Sequence, residues 1–326
     1  MKYVTRGNYG AVFKPGKKNN ARDPEPNTIT KVFYCEKEWS NEINKFNKII
    51  IIDKLSYFTP KKIASEKIKP FNHFDEEVFE KAGSDWDYNK DNWQIIYEDC
   101  GVNLLYAKIT IKKLIYGIQP VFFGITKLVE NGLVHQDIKP ANLVYNSKTN
   151  IIKIIDFGLL SENEHIYDDD TNLTENNYYY FPPEYNIFNV IDKNKSVDNK
   201  LLEVMSHNNY ETFKSKYIIF FNKIFPEEVL ANEIKELTDF INNIIENYSY
   251  TTIREYLESF SNSIDIYMFG IALLEIIFKN KNINYNSIPP DFLDLITKMI
   301  KLDPSKRISA YDALKTYIKI DSLLNK

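Results

Sequence analysis

One ordered set of residues constrains this chain more than any other: His135-Gln-Asp-Ile-Lys-Pro-Ala-Asn142, then Asp156-Phe-Gly158, then Pro182-Pro-Glu184. Between the first two pieces, Ile151 to Ile155 is a short apolar run that reads as a strand. A loop followed by a returning strand brings Asp137, Lys139 and Asn142 to the same cleft as Asp156. Taken singly, Asp and Asn populate turns for purely local reasons. Their order and spacing here ask for more than a turn.

The residue types define a chemistry. A carboxylate beside a hydroxyl nucleophile serves as a base, and an amide oxygen with a second carboxylate suits Mg²⁺, which neutralises charge on a transferring phosphoryl group. Asp137 is the candidate base, and Asn142 and Asp156 are the candidate metal ligands. Together the pieces resemble the catalytic loop, metal-binding loop and activation segment of eukaryotic-type protein kinases. Lys139, two residues after the base, resembles the serine/threonine branch, where it sits near the transferring phosphate as a point charge. The resemblance implies an α+β, two-lobed fold, with a small antiparallel β-rich N-lobe over residues 1–99 and a larger helical C-lobe over 100–326.

Read against that family, the N-terminal part supplies the nucleotide half. Val4 to Phe13 reads as two strands joined by a glycine turn, and it resembles the loop that covers ATP phosphates. Thr5 replaces the first glycine of that pattern, while Gly7 and Gly10 let the backbone approach phosphate oxygens. Thr28 to Phe33 alternates as a strand with Lys31 on the face of Ile29 and Phe33. A lysine there needs a partner. Glu36 to Asp53 reads as a helix with Trp39, Ile43, Phe46, Ile49 and Ile50 at helical spacing. Glu42 on that helix resembles the glutamate that pairs with the strand lysine, with Glu38 as the alternative. Gln94 to Gly101 resembles the hinge, where backbone groups of Glu98 and Cys100 hold adenine, and Asn103 is a candidate ribose contact. Val12 and Val144 complete the apolar sandwich around the base. Tyr97 at the gatekeeper position and Ile29 above the adenine are both large, so a narrow pocket is expected.

The remaining motifs extend the resemblance. Ile109 to Asn131 has helical spacing and stops at Asn131-Gly132. His135 is expected to pack as a structural residue in a column with Phe46, Phe157 and Asp265. Asp265 begins a helix over Ser263 to Phe278 and would anchor the catalytic-loop backbone. Arg307, in Leu302 to Ala310, is expected to form a buried pair with Glu184. Ser161 to Phe181 is an acidic, hydroxyl-rich segment with Asp168 to Asp170, Thr171, Thr174 and Tyr178 to Tyr180. The threonine that usually touches the base and lysine in serine/threonine kinases is Asn177 here, which departs from the pattern. Gln136 stands where many such kinases carry the arginine that pairs with an activation-segment phosphate. A neutral amide offers that phosphate no charge, so activity independent of segment phosphorylation is expected.

Two stretches fall outside the pattern. Asp75 to Tyr88 reads as an inserted loop, and about 187–260 reads as a helical insertion. The latter includes an amphipathic helix over Glu227 to Ile245 with apolar Val229, Leu230, Ile234, Leu237, Phe240, Ile241 and Ile244. It is either a docking surface for a substrate or partner, or a helical excursion packed on the large lobe.

Composition bounds the rest. The 326 residues are 44% hydrophobic and 26% charged, enough for two lobes sharing a cleft. The 41 basic and 45 acidic residues are mixed, with net charge -4, so no nucleic-acid or membrane footprint stands out. Two cysteines, Cys35 and Cys100, make no disulfide framework, and a reducing compartment is expected. Met1 to Val12 is polar, so no secretory signal is read there. Ile264 to Phe278 contains Asp265 and Glu275 and is shorter than the roughly 20 residues of a membrane span. An intracellular, cytoplasmic monomer follows. The abundance of Asn, Ile, Lys and Tyr suggests an AT-rich genome, a composition reminiscent of large DNA virus kinases, for which host cytoplasm or virion would be the location.

The expected activity is transfer of the ATP γ-phosphoryl group to Ser/Thr hydroxyls of a protein substrate, with ATP and Mg²⁺ as cofactors and Mn²⁺ able to stand in. The alternatives are a pseudokinase-like scaffold and a small-molecule kinase of related fold. Lys31, Glu42, Asp137, Asn142 and Asp156 are all present, which weighs against the first. The activation segment, Asp265 and Arg307 weigh against the second.

Overall fold

The computed structural model describes residues 2–7, 10–18, 23–33, 35–68, 92–167, 180–201 and 227–324. The loop expected over Asp75 to Tyr88 lies outside them, as do Asp168 to Asp170, Thr171, Thr174, Asn177, Tyr178, Tyr179 and the part of the insertion over 202–226. The chain divides into two compact units, Met1–Gly101 and Val102–Lys326.

In the first unit, alternating strands build an antiparallel sheet. The strands are β1 (Lys2–Gly7), β2 (Gly10–Lys14), β3 (Thr28–Phe33), β4 (Lys62–Ile68) and β5 (Asn92–Glu98), in the order β1-β2-β3-β5-β4. The β3 to β5 register sets Ile29 opposite Tyr97 and Lys31 opposite Ile95, so these four share one face. Helix α1 (Glu36–Ile52) packs on the sheet through Glu42, Phe46 and Ile49, spaced i, i+4, i+7. Ile50, expected on the buried side, is exposed because the buried stripe is narrower than the apolar pattern. Asp53 ends the helix, and its carboxylate accepts the Tyr57, Phe58 and Thr59 amides at 2.7, 3.0 and 2.9 Å, which fixes the turn toward β4.

The second unit is helical. After β6 (Val102–Asn103) come α2 (Ile111–Gly117) and α3 (Gln119–Glu130). The single helical stretch read over Ile109 to Asn131 is thus divided at Ile118, just before Pro120, whose ring lacks the N–H that an uninterrupted helix would need. Gly132 follows at φ +66°, the left-handed conformation that ends the helix. Strands β7 (Leu133–Val134), β8 (Leu143–Asn146), β9 (Ile151–Ile154) and β10 (Ser161–Glu162) form two small sheets, β6-β8-β9 and β10-β7. Helices α4 (Pro183–Asn194), α5 (Glu227–Asn247), α6 (Tyr250–Glu258), α7 (Ile264–Lys279), α8 (Pro290–Met299) and α9 (Ala310–Leu324) follow among the described residues.

Helix α7 is the core of this unit. Ser261–Lys279 is long and apolar enough to cross a membrane by composition, contrary to the length argument from sequence, yet 89% of its most apolar window is buried inside the protein. An element apolar all round is a central helix here. Its Phe269 meets Phe122 of α3 edge-on at 5.0 Å, and Phe122 stacks on Tyr317 of α9 at 4.7 Å. A sheet-bearing unit and a helical unit give an α+β fold.

Candidate active site

The chemistry-bearing residues of the second unit sit at one end of the β8–β9 hairpin. Leu143 pairs with Ile154 in register, and Ile155 N donates to the Asn142 carbonyl oxygen at 2.9 Å. Asp156 therefore emerges beside Asn142. It is exposed and in the left-handed conformation, φ +63° and ψ +75°. That conformation costs a non-glycine residue on the order of 1–3 kcal/mol and marks functional turns.

Asp137 is buried, and both of its carboxylate oxygens are engaged. Lys139 Nζ lies 2.9 Å from Oδ1, and Asn142 Nδ2 donates to Oδ2 at 2.7 Å and to the Asp137 carbonyl oxygen at 2.9 Å. A carboxylate held at both oxygens has a fixed plane, as a positioned base requires. The hairpin thus brings together Asp137, Lys139, Asn142 and Asp156, and it carries Val144 on β8.

Behind them, Asp265 at the start of α7 accepts His135 N at 2.7 Å and Gln136 N at 3.0 Å. Burial raises the Asp265 carboxyl above the usual range, opposed by His135 and by these two amides. The His135 ring meets Phe157 edge-on at 4.8 Å, its Nδ1 accepts Asp137 N at 3.2 Å, and its Nε2 is buried with no hydrogen-bond partner. His135 is thus a packed residue whose ring steadies the backbone of the candidate base. Phe46, the other ring of the expected column, belongs to the first unit and meets Tyr97 edge-on at 5.2 Å.

Glu184 and Arg307 are a bidentate pair at 2.6 and 3.0 Å, both side chains fully buried. Arg307 also donates to Ser263 Oγ and to the Lys301 carbonyl oxygen, each at 3.1 Å, and lies over the Tyr267 ring. A buried guanidinium with its donors so placed avoids the desolvation cost of an unpaired charge.

The first unit holds the other group of candidates. Lys31 Nζ is 2.5 Å from Glu42 Oε2, with side chains 14% and 8% exposed. Glu38, the alternative partner, is half-buried on α1, and the structure pairs Lys31 with Glu42. Gly7 and Gly10 face each other across the β1–β2 turn, and a Cβ on Gly10 would collide with the Val32 carbonyl oxygen. Gly10 is therefore required by sheet packing as well as by any phosphate. Val12 is half-buried on β2. At the end of β5, Glu98 N donates to the Lys61 carbonyl oxygen at 3.0 Å, and the buried Cys100 thiol lies 3.3 Å from Glu98 Oε1. Asn103, on β6 of the second unit, turns its Oδ1 onto Leu105 N at 3.1 Å.

Residues 88–318, more than half of the chain, match the protein kinase domain. The chain belongs to the protein kinase family. The match begins beyond Lys31 and Glu42, whose pairing is a finding of the structure alone. Cyclin-dependent kinase 11 of Dictyostelium discoideum is 27% identical over 198 residues, 61% of this chain and 49% of that protein. Mitogen-activated protein kinase HOG1 of Eremothecium gossypii is 25% identical over 204 residues, 61% of this chain and 39% of the relative. Serine/threonine-protein kinase prpf4B of Dictyostelium discoideum is 25% identical over 238 residues, 67% of this chain and 27% of the relative. The kinase chain described here spans half or less of the length of these curated relatives.

Protein kinases use ATP with Mg²⁺, and the donor set of this kinase fits that ion. Asn142 gives its nitrogen to Asp137, so that its amide oxygen would be the ligand atom, and Asp156 would offer a carboxylate. Both are hard oxygens, and Mg²⁺ is normally held by one or two protein oxygens together with phosphates and water. Among the described residues no group of three or more His, Cys, Asp or Glu gathers.

Three residues make long-range contacts that no local pattern foretells. Gln136 reaches Leu159, Ser161 and Tyr185, Tyr97 reaches Glu42, and Tyr180 reaches Glu275. Each joins residues far apart in the chain, and the sequence marks Gln136 and Tyr97 only as departures from the family pattern.

Proposed function

We propose that this kinase transfers the ATP γ-phosphoryl group to Ser or Thr hydroxyls of a protein substrate. The observation that carries the reading is the clamp on Asp137, with Lys139 on one carboxylate oxygen and Asn142 on the other. In that role Asp137 orients the substrate hydroxyl and takes its proton. Lys139 places positive charge beside the base, where the transferring phosphoryl gathers negative charge. Asn142 and Asp156 would hold Mg²⁺, which supplies neutralisation of phosphate charge when bound. Lys31, kept in place by Glu42, is the residue for the nonreacting phosphates of ATP, and the backbone of Glu98 and Cys100 is the adenine contact.

The Ser/Thr assignment is supported by Lys139 and by the relative named as a serine/threonine-protein kinase. The test is incubation with γ-labelled ATP and Mg²⁺ on a mixed protein extract and on purified basic and acidic proteins, followed by phosphoamino-acid analysis. Labelled serine or threonine that disappears with Asp137→Ala is the expected result. Label on small molecules alone, or none above the variant, would overturn the reading.

A further inference from the structure

We propose that Tyr97 is a positioning residue that locks the Lys31–Glu42 pair in its assembled arrangement. The proposal rests on the kinase reading above, since that reading gives the pair its task. Tyr97 lies on β5 directly opposite Ile29, on the sheet face that receives α1. Its hydroxyl donates to Glu42 Oε1 at 3.3 Å, while Lys31 Nζ holds Oε2 at 2.5 Å. The two carboxylate oxygens thus have different partners. A glutamate held only by a flexible lysine keeps rotation about its last torsions, and a second bond on the other oxygen fixes the carboxylate plane.

The ring of Tyr97 does a second job. It meets Phe46 edge-on at 5.2 Å, one helical turn beyond Glu42 on the same face of α1. One turn before Glu42, Trp39 Nε1 donates to the Gln94 carbonyl oxygen at 3.2 Å. Successive turns of α1 are therefore fastened to β5 at Trp39, Glu42 and Phe46, two of them through Tyr97. Glu42 and Tyr97 are both 7% exposed, so water competes little for the Tyr97–Glu42 bond. The sequence alone reads Tyr97 as bulk that narrows the nucleotide pocket. Its hydroxyl also serves the ion pair, and α1 is seated by the fold itself.

Tyr97→Phe removes the hydroxyl and keeps the ring against Phe46, so the fold is retained. The first measurement needs no catalytic activity: pulse labelling of the nucleotide-free protein with acetic anhydride, with modification at each lysine read by mass spectrometry. An ammonium held by a fixed carboxylate is a poor nucleophile, so Lys31 should react severalfold faster in Tyr97→Phe while the exposed Lys37 and Lys48 react at the parent rate. The second is a kinetic cycle with Glu42→Gln. Tyr97→Phe should lower kcat/KM for ATP by about tenfold, the weight of a hydrogen bond to a charged group, and should add nothing to Glu42→Gln. Unchanged Lys31 labelling, or two losses that multiply in the double variant, would overturn the lock. A parent protein without transferase activity would overturn the kinase reading instead, and the labelling would still decide the role of Tyr97.

Discussion

The side-chain amide of Gln136 donates to the Leu159 carbonyl oxygen at 3.1 Å, tying the residue before the candidate base to the chain just after Asp156-Phe-Gly158. The same nitrogen reaches Ser161 Oγ, and Oε1 accepts the Tyr185 hydroxyl at 2.5 Å. Burial first, then Tyr167, Asp265 and Glu184, hold the Tyr185 phenol well above its usual pKa, so it remains a donor. Gln136 thus joins the start and the far end of the activation segment without any charge. Tyr180, one of the segment's hydroxyls, is buried and donates to the Glu275 carboxylate, which leaves it poorly placed for modification.

Activity is therefore expected to survive removal of phosphate from Thr171, Thr174 and Tyr178 to Tyr180. Phosphatase-treated protein, shown bare by mass spectrometry, should keep its initial rate, and Gln136→Ala should lose most of it with nucleotide affinity retained. A large loss on stripping that returns on rephosphorylation would refute this.

Glu184 and Arg307 should be a stability determinant. Removing one partner strands a fully buried charge, which costs about 3–5 kcal/mol. Denaturant unfolding of Arg307→Ala is expected to show a loss in that range, and the paired change Glu184→Gln with Arg307→Met a smaller one than the single changes suggest. A loss under about 1 kcal/mol for Arg307→Ala, typical of exposed pairs, would mean the pair is open to water in solution.

What could be read in advance follows physical lines. The catalytic and metal loops were legible because their chemistry fixes residue type and spacing together, and α7 because it is apolar on every side. Strand β4 was not: Lys62-Ile-Ala-Ser-Glu-Lys-Ile68 is an edge strand with a wetted face, and its lysines blur the alternation that would mark a strand. The Gln136 contacts span 23, 25 and 49 positions, beyond any local pattern. The α5 helix was legible through its apolar stripe, of which Phe240, Ile241 and Ile244 are buried, but nothing in that stripe marks Glu233 as buried.

Glu233 is instead nearly sealed, and it fastens the inserted helix to the loop after α8. Its carboxylate accepts Leu302 N at 3.2 Å and pairs with Lys301, which also reaches Glu236 at 3.3 Å. These bonds favour a packed excursion for this part of the insertion. Burial by itself would lower the Lys301 pKa, but the bonds and charges of Glu233 and Glu236 outweigh it and raise the value. A lysine with a raised folded pKa contributes stability that is complete below its unfolded value and lost as pH climbs through the folded one. Glu233→Ala should thus cost about 1–3 kcal/mol at neutral pH, shrinking only in strongly alkaline buffer. The exposed pair Lys298 and Asp294 is the control, and Lys298→Ala should stay within about 0.5 kcal/mol. Equal unfolding midpoints for Glu233→Ala and the parent would return the helix to the candidates for a detachable docking element.

Asp137 and Asp156 should separate cleanly when binding and transfer are measured apart. Asp137 is clamped by Lys139 and Asn142, and in the proposed mechanism it touches the incoming hydroxyl, not the nucleotide. Asp137→Ala is expected to lower kcat by about 10²–10⁴-fold, the range for a positioned general base, with ATP affinity little changed. Asp156, exposed beside Asn142, would hold Mg²⁺ together with Asn142, and the ion would supply neutralisation of phosphate charge. Asp156→Ala should therefore abolish transfer more fully than it abolishes nucleotide binding, and its binding defect should appear with Mg²⁺ and vanish in EDTA. Titration of a fluorescent ATP analogue under both conditions, beside initial rates, makes the comparison. Undiminished phosphorylation by either variant would remove that residue from the catalytic assignment. An Asp156→Ala binding defect of equal size in EDTA would show that its carboxylate supports the loop and does not hold the ion.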